Sequence, residues 1–269
     1  MKTIVFIGGT SGIGRAAVQH FLKTDHKLIL LYRSKEKLKE TLQTSSKKVI
    51  EVPCDLYSFH SMKKACDTIR NHTDQVDILV NNAGMWEFGD RKETQDGIET
   101  TFQVNVLAPA FFHKNLQDLL LKSSDPRVIT TASLLHTGTI NFEDLEYQKK
   151  FNGFQAYRQS KLAVILLTRY WSQQETKIQY FSFHPGVVST ELGRSANWLM
   201  RCFFRWFGIS PEKGAETLVY LAETPSDTLN SGEYYTQKKV AKTVTKASYD
   251  TALAKRVDEE VAIYLKRFE

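Results

Sequence analysis

The chain has 269 residues, 42% hydrophobic and 25% charged, with a mean hydropathy of −0.34. That profile fits one globular domain over residues 1–269, large enough to bury about three-quarters of its unfolded surface without disulfide or metal. The net charge of +6 and pI near 9.0 come from interspersed acids and bases; with no basic block beside an aromatic platform, nucleic acid is not an expected partner.

Cys54, Cys66 and Cys202 are scattered without CxxC spacing, which points to a reducing compartment and no zinc site. The N-terminal apolar run is too short for a secretory signal, and no stretch nears the roughly 20 apolar residues that span a bilayer. A cytoplasmic setting is expected.

Residues 3–7 are an apolar run ending in glycines, the pattern of a buried parallel strand. A helix is predicted over 14–23, a strand over 28–32, and a charged helix capped by Ser34. Strands at 49–52 and 78–80 flank a helix near 59–69. A long helical stretch over 98–121 precedes a strand at 127–131. After an irregular segment come a helix over 154–171 and a strand over 178–183. Pro211 opens another helix at its favoured first position, residues 232–235 read as a short last strand, and 247–268 as a helical tail. This alternation predicts an α/β fold, a doubly wound and mostly parallel sheet with helices on both faces. Such sheets bind ligands at the carboxyl ends of their strands.

The turn Gly8-Gly9-Thr10-Ser11-Gly12-Ile13-Gly14 falls at that edge, between the first strand and the first helix. Glycine allows positive φ and close approach of backbone to a phosphate, and unpaired N–H groups at a helix start favour a pyrophosphate. Gly8, Thr10, Ser11, Gly12, Ile13 and Gly14 are therefore candidate dinucleotide-binding residues. An NAD site normally carries an acid at the end of the second strand. Here Tyr32 is followed by Arg33, which suits a 2′-phosphate, with Lys35 and Lys37 adding positive charge. The expected cofactor is NADP(H).

Tyr157 and Lys161 are four residues apart and share a helix face. An ammonium so placed is expected to lower the phenol from its ordinary value near 10 toward the working pH. A phenol held there can protonate the alkoxide that develops when a carbonyl is reduced.

The glycine spacing, the Asn81-Asn82-Ala83-Gly84 turn and Tyr157-x-x-x-Lys161 together resemble the short-chain dehydrogenase/reductase family over about residues 3–235. Ile7 stands where that family usually has threonine. The resemblance implies a Rossmann-type domain and further roles. Asp55, with Leu56 beside it, would bond the adenine amino group, while Asn82, Ala83 and Gly84 would line the cofactor cleft. Ser133 would bond the substrate oxygen, and Asn105 would hold a relay water through its backbone carbonyl. Lys161 would hold the nicotinamide ribose, and Pro185, Gly186, Val188 and Thr190 would contact the carboxamide. The catalytic set is then Asn105, Ser133, Tyr157 and Lys161.

The long gap between Ser133 and Tyr157 and the run from His184 to Leu192 look like the retinol dehydrogenase branch, many of whose members carry an N-terminal membrane anchor; none is expected here. The branch implies a lipophilic aldehyde or ketone as the small-molecule partner. Segments near 136–153 and 190–210 are expected to cover the substrate. Residues 196–209 are aromatic-rich, with Arg201 and Arg205, and fit either a helix over the cleft or a shallow membrane-surface contact. His136 and His184 read as loop and structural histidines, and Ser160 lies in no nucleophile elbow. Two other functions stay open, a non-catalytic NADPH-binding regulator and a reductase of conjugated double bonds. The oligomeric state is also open.

Overall fold

The computed structural model describes residues 1–43, 49–186, 208–242 and 244–268. Seven parallel strands run β1 (Thr3–Ile7), β2 (Lys27–Tyr32), β3 (Ile50–Pro53), β4 (Ile78–Asn81), β5 (Arg127–Thr131), β6 (Gln179–His184) and β7 (Tyr234–Thr236). With the antiparallel β8 (Lys239–Val240) they form one sheet in the order β3-β2-β1-β4-β5-β6-β7-β8. The direction of winding reverses between β1 and β4, and the crevice at such a reversal is where doubly wound sheets bind ligands.

Alternate residues of each strand enter opposite cores, as the two-residue period requires. Val5, Ile7, Ile29, Leu79 and Val128 pack against α3 (Phe59–His72), the composite helix α4 (100–120), α5 (Gly153–Gln174) and α7 (Thr251–Lys266). Ile4, Phe6, Leu30, Val80 and Phe181 pack against α1 (Gly12–Phe21), α2 (Lys35–Leu42) and α6 (Pro211–Glu223). The central strands β1, β2, β4 and β5 are thus buried on both faces, which is why they were legible as largely apolar segments.

Three elements differ from expectation. Helix α1 begins at Gly12, two residues earlier than the periodicity suggests. The helical stretch after β4 is composite: α4 comprises Thr100–Phe102, a π-helical turn at Gln103–Leu107, and Ala108–Leu120. The hairpin β7–β8 is absent from the sequence reading. Its turn places Gln237 at φ 49° and Lys238 at φ 63°, a geometry usually signalled by Asn-Gly or Gly-Gly. Gln-Lys gives no such signal.

Among the described residues no helix is long and apolar enough to cross a membrane. Val188, Thr190 and most of the segments 190–210 and 196–209 lie outside the described residues.

Candidate active site

The glycine turn is fixed from below by the turn after β4. A Cβ at Gly8, whose φ is +82°, would stand 2.4 Å from the Ala83 nitrogen, and one at Gly14 would stand 1.9 Å from the Gly8 oxygen. Asn82 closes the contact. Its Nδ2 donates to the Gly8 carbonyl at 2.8 Å, and its Oδ1 accepts from the Thr131 hydroxyl at 3.0 Å. One side chain therefore holds the ends of β1, β4 and β5 in register. Ser11 precedes α1 without a side-chain cap bond, so the first-turn N–H groups keep their capacity for an anion.

Above this turn lies a cavity of about 620 Å³ that runs from Arg33 to Tyr157. Gly8, Ser11, Gly12 and Ile13 line it, as do Asp55, Leu56, Asn82, Ala83 and Gly84. Thr10 and Gly14 do not. The Thr10 carbonyl accepts from Arg15 at 3.0 and 3.3 Å, and Gly14 serves the close packing described above. Arg33 is exposed at one end, its guanidinium 5.7 Å from the Tyr57 ring centroid. Lys37 lines the cavity beside it, whereas Lys35 is bound to Glu51 and does not.

At the other end Tyr157 and Lys161 stand one turn apart on α5, 4% and 3% exposed. Asn152 caps that helix, its side chain accepting from the Gln155 N–H at 3.1 Å. Lys161 Nζ donates to the Thr131 carbonyl at 2.8 Å and lies 5.7 Å from the Tyr157 ring centroid. Burial pushes the phenol up to about 12, opposed by a hydrogen bond with Ser133. The expectation that Lys161 would lower it is therefore corrected: with water excluded from the ring, desolvation dominates and the phenol is protonated at neutral pH. Burial also brings the Lys161 ammonium down to about 8, so its charge is present below that pH and lost above it.

Asn105 does not line the cavity; it sits in the π-helical turn and works as a clamp. Its Oδ1 accepts from the Met85 N–H at 2.8 Å, and its Nδ2 donates to the Met85 carbonyl and to Ser160 Oγ, both at 2.9 Å. A Cβ at Gly84 would stand 3.5 Å from both Lys161 Nζ and Asn105 Oδ1, an ordinary contact distance, so Gly84 marks where the two side chains meet the cavity wall.

Ser133, Pro185 and Gly186 line the cavity as the sequence suggests. Residues 136–153 contribute nothing to the lining. That segment is pinned elsewhere: Gln159 bonds Asn141 and Leu145, and buried Glu146 accepts from the Glu99 N–H, Arg91 and Tyr264.

The sequence reading missed Tyr57, Trp86 and Phe88, which line the cavity with no motif to mark them. It also placed His184 as structural. His184 lines the cavity with both ring nitrogens buried and without a hydrogen-bond partner among the described residues, and burial takes it down to about 4.

A family model described as short chain dehydrogenase matches residues 2–198. Human retinol dehydrogenase 14 is 32% identical, with 95% of this chain and 84% of that protein covered. Human polyprenol dehydrogenase is 29% identical over 90% of this chain and 79% of its own length. Among solved structures, the NADPH-bound carbonyl reductase from chicken fatty liver superposes with a TM-score of 0.67 at 21% identity, covering 90% of this chain and 98% of that one.

Proposed function

The chain belongs to the short chain dehydrogenase family, and we propose that within it this protein is an NADPH-dependent reductase of apolar aldehydes or ketones. The observation that carries the reading is a buried, protonated Tyr157 beside Ser133 and Lys161 at one end of a cavity whose other end is Arg33.

The family binds a nicotinamide cofactor, and the residues present fit one. The uncapped start of α1 and the turn Gly8–Ile13 would hold its pyrophosphate, Asp55 its adenine, and Lys161 its ribose. Arg33 and Lys37 would hold a 2′-phosphate, where an acid would repel one. When bound, the nicotinamide supplies the hydride.

The protein's own part is proton and charge management. Ser133 would hold the substrate oxygen, and Tyr157 would give its proton to that oxygen as negative charge develops. Lys161, cationic below about 8, would stabilise the phenolate left behind. The Asn105 carbonyl would hold the water that restores the proton.

Met85, Trp86, Phe88, Leu134 and Leu135 line the substrate end, which favours a carbonyl on an apolar body. Relatives named for retinol and polyprenol support the same class. The test is a panel of aldehydes, ketones and conjugated enones incubated with NADPH or NADH, followed by cofactor absorbance and product analysis. Alcohol products formed faster with NADPH are expected. Saturation of enones with the carbonyl left intact, or no turnover of any member, would overturn the reading.

A further inference from the structure

The loop that follows the Asn81–Gly84 turn carries an aromatic stack onto the reacting tyrosine. The Trp86 indole lies flat on the Tyr157 ring, with centroids 4.5 Å apart and planes 9° from parallel. Phe88 stacks on Trp86 at 4.4 Å and 24°, and Phe154, from the first turn of α5, approaches it at 5.8 Å. Stacking of this kind is offset and orientation-specific, so it restrains how the phenol ring can turn.

The loop is held in place from several sides. Asn105 grips both backbone groups of Met85, the residue before Trp86. Buried Glu87, the residue after it, pairs with Lys92 at 3.1 Å. A Cβ at Gly153 would stand 1.8 Å from the Glu87 oxygen, so only glycine lets the loop rest on the start of the helix that carries Tyr157. Asn105, which does not itself line the cavity, is thereby linked through Met85 to the face of the phenol.

We propose that Trp86 is a positioning residue for Tyr157: it fixes the ring and keeps water off its face, so that the loop 85–88 sets how readily the phenol ionises. The proposal rests on Tyr157 being the proton donor of the reaction above only for its consequence in turnover. The other groups around Tyr157 are Ser133 after β5, Lys161 on the same helix, Tyr234 on β7, and His136, whose ring meets Tyr234 at 5.0 Å. His184 shares the cavity, and Glu87 adjoins Trp86 in sequence. His136 and His184 are both lowered by burial, so neither changes charge in the alkaline range where the phenol titrates.

The test uses the full chain labelled with ¹³Cζ-tyrosine, the Tyr157 resonance being identified by its loss in Tyr157→Phe. In the wild type at pH 10.5 this resonance should remain at its protonated position. In Trp86→Ala, water reaching the ring should lower the titration by about one pH unit, so about a quarter of the ionisation shift is expected at pH 10.5. Trp86→Phe, which keeps a flat ring, should behave as the wild type.

In turnover, Trp86→Ala should lose ~3- to 10-fold in kcat, with NADPH affinity unchanged. If Trp86→Ala does not fold, Trp86→Leu is judged by the same criteria. A Tyr157 resonance unmoved in the alanine or leucine variant would show that Trp86 only fills space, and would overturn the proposal. Full turnover in Tyr157→Phe would instead overturn the proton-donor reading, and the resonance titration would still decide for or against Trp86.

Discussion

At one end of the cleft Tyr157 and Lys161 are buried on a capped helix, with Trp86 laid on the phenol and Thr131 holding the ammonium. At the other end Arg33 is exposed and Lys37 half-buried, and the only ring beneath the guanidinium among the described contacts is that of Tyr57. The buried end works in low dielectric, where a misplaced hydroxyl or charge is expensive and ionisation shifts far from its ordinary value. The exposed end works in water, where each cation contributes modestly and salt screens it. Substitutions should therefore act on turnover at the first end and on cofactor choice at the second.

The largest effect is expected from Tyr157→Phe, which removes the proton donor and leaves the stacked ring. Turnover should fall by about 10²- to 10⁴-fold while NADPH affinity stays nearly intact. Measuring kcat beside a fluorescence titration of NADPH separates the two. Comparable losses in both would mean that the buried end is also the main source of cofactor affinity.

Acid should undo the buried region next. Burial takes His113 and His184 down to about 4, below the unfolded value near 6.5. In that interval the unfolded chain binds protons that the native state refuses. Their contribution to stability is therefore intact above about 6.5 and lost progressively as pH falls toward 4, at roughly 1.4 kcal/mol per pH unit for each group once the unfolded histidine is protonated. Urea midpoints between pH 7 and pH 4.5 should fall accordingly, and the slope should be shallower in His113→Asn. An unchanged slope in that variant would remove His113 from the account.

Arg33→Ala should weaken NADPH by about tenfold and NADH by less than twofold, since only the former carries the 2′-phosphate. The difference should shrink at high salt, because the contact is solvent-exposed. Equal losses for both cofactors would remove the 2′-phosphate assignment.

The same contrast decides what the sequence could tell. Residues that work through backbone geometry or short spacing were legible: Gly8 and Gly12 take positive φ, Asn82 sits where β1 and β5 need tying, and Tyr157 and Lys161 share one helical turn. Trp86 and Phe88 were not, because a stack onto α5 depends on packing across more than 60 positions of chain, and an aromatic pair in a loop has no motif. The direction of the Tyr157 shift was missed for the same cause: spacing shows that Lys161 is near, and only packing shows that water is excluded. His184 was passed over because a place in the cavity wall is a property of the packing around it. The 136–153 segment was expected over the substrate, and its hydrogen bonds to α5 and α7 hold it away from the cavity lining.

The smallest effect separates two lysines that the sequence treats alike. Lys35 and Lys37 both follow Arg33, and each adds one charge near the proposed 2′-phosphate site. In the fold Lys35 is turned to Glu51 on β3 and touches no part of the cavity, whereas Lys37 lines it. Lys35→Ala removes a cation already offset by a carboxylate, so NADPH affinity should change by less than about twofold. Lys37→Ala removes a cation from the cavity wall, and a loss of about two- to fivefold for NADPH, with none for NADH, is expected. Titrating both variants with both cofactors at low salt resolves a difference of this size. If the two lysines prove equivalent, the exposed end acts through its summed field, and the individual placements of Arg33 and Lys37 matter less than their charge.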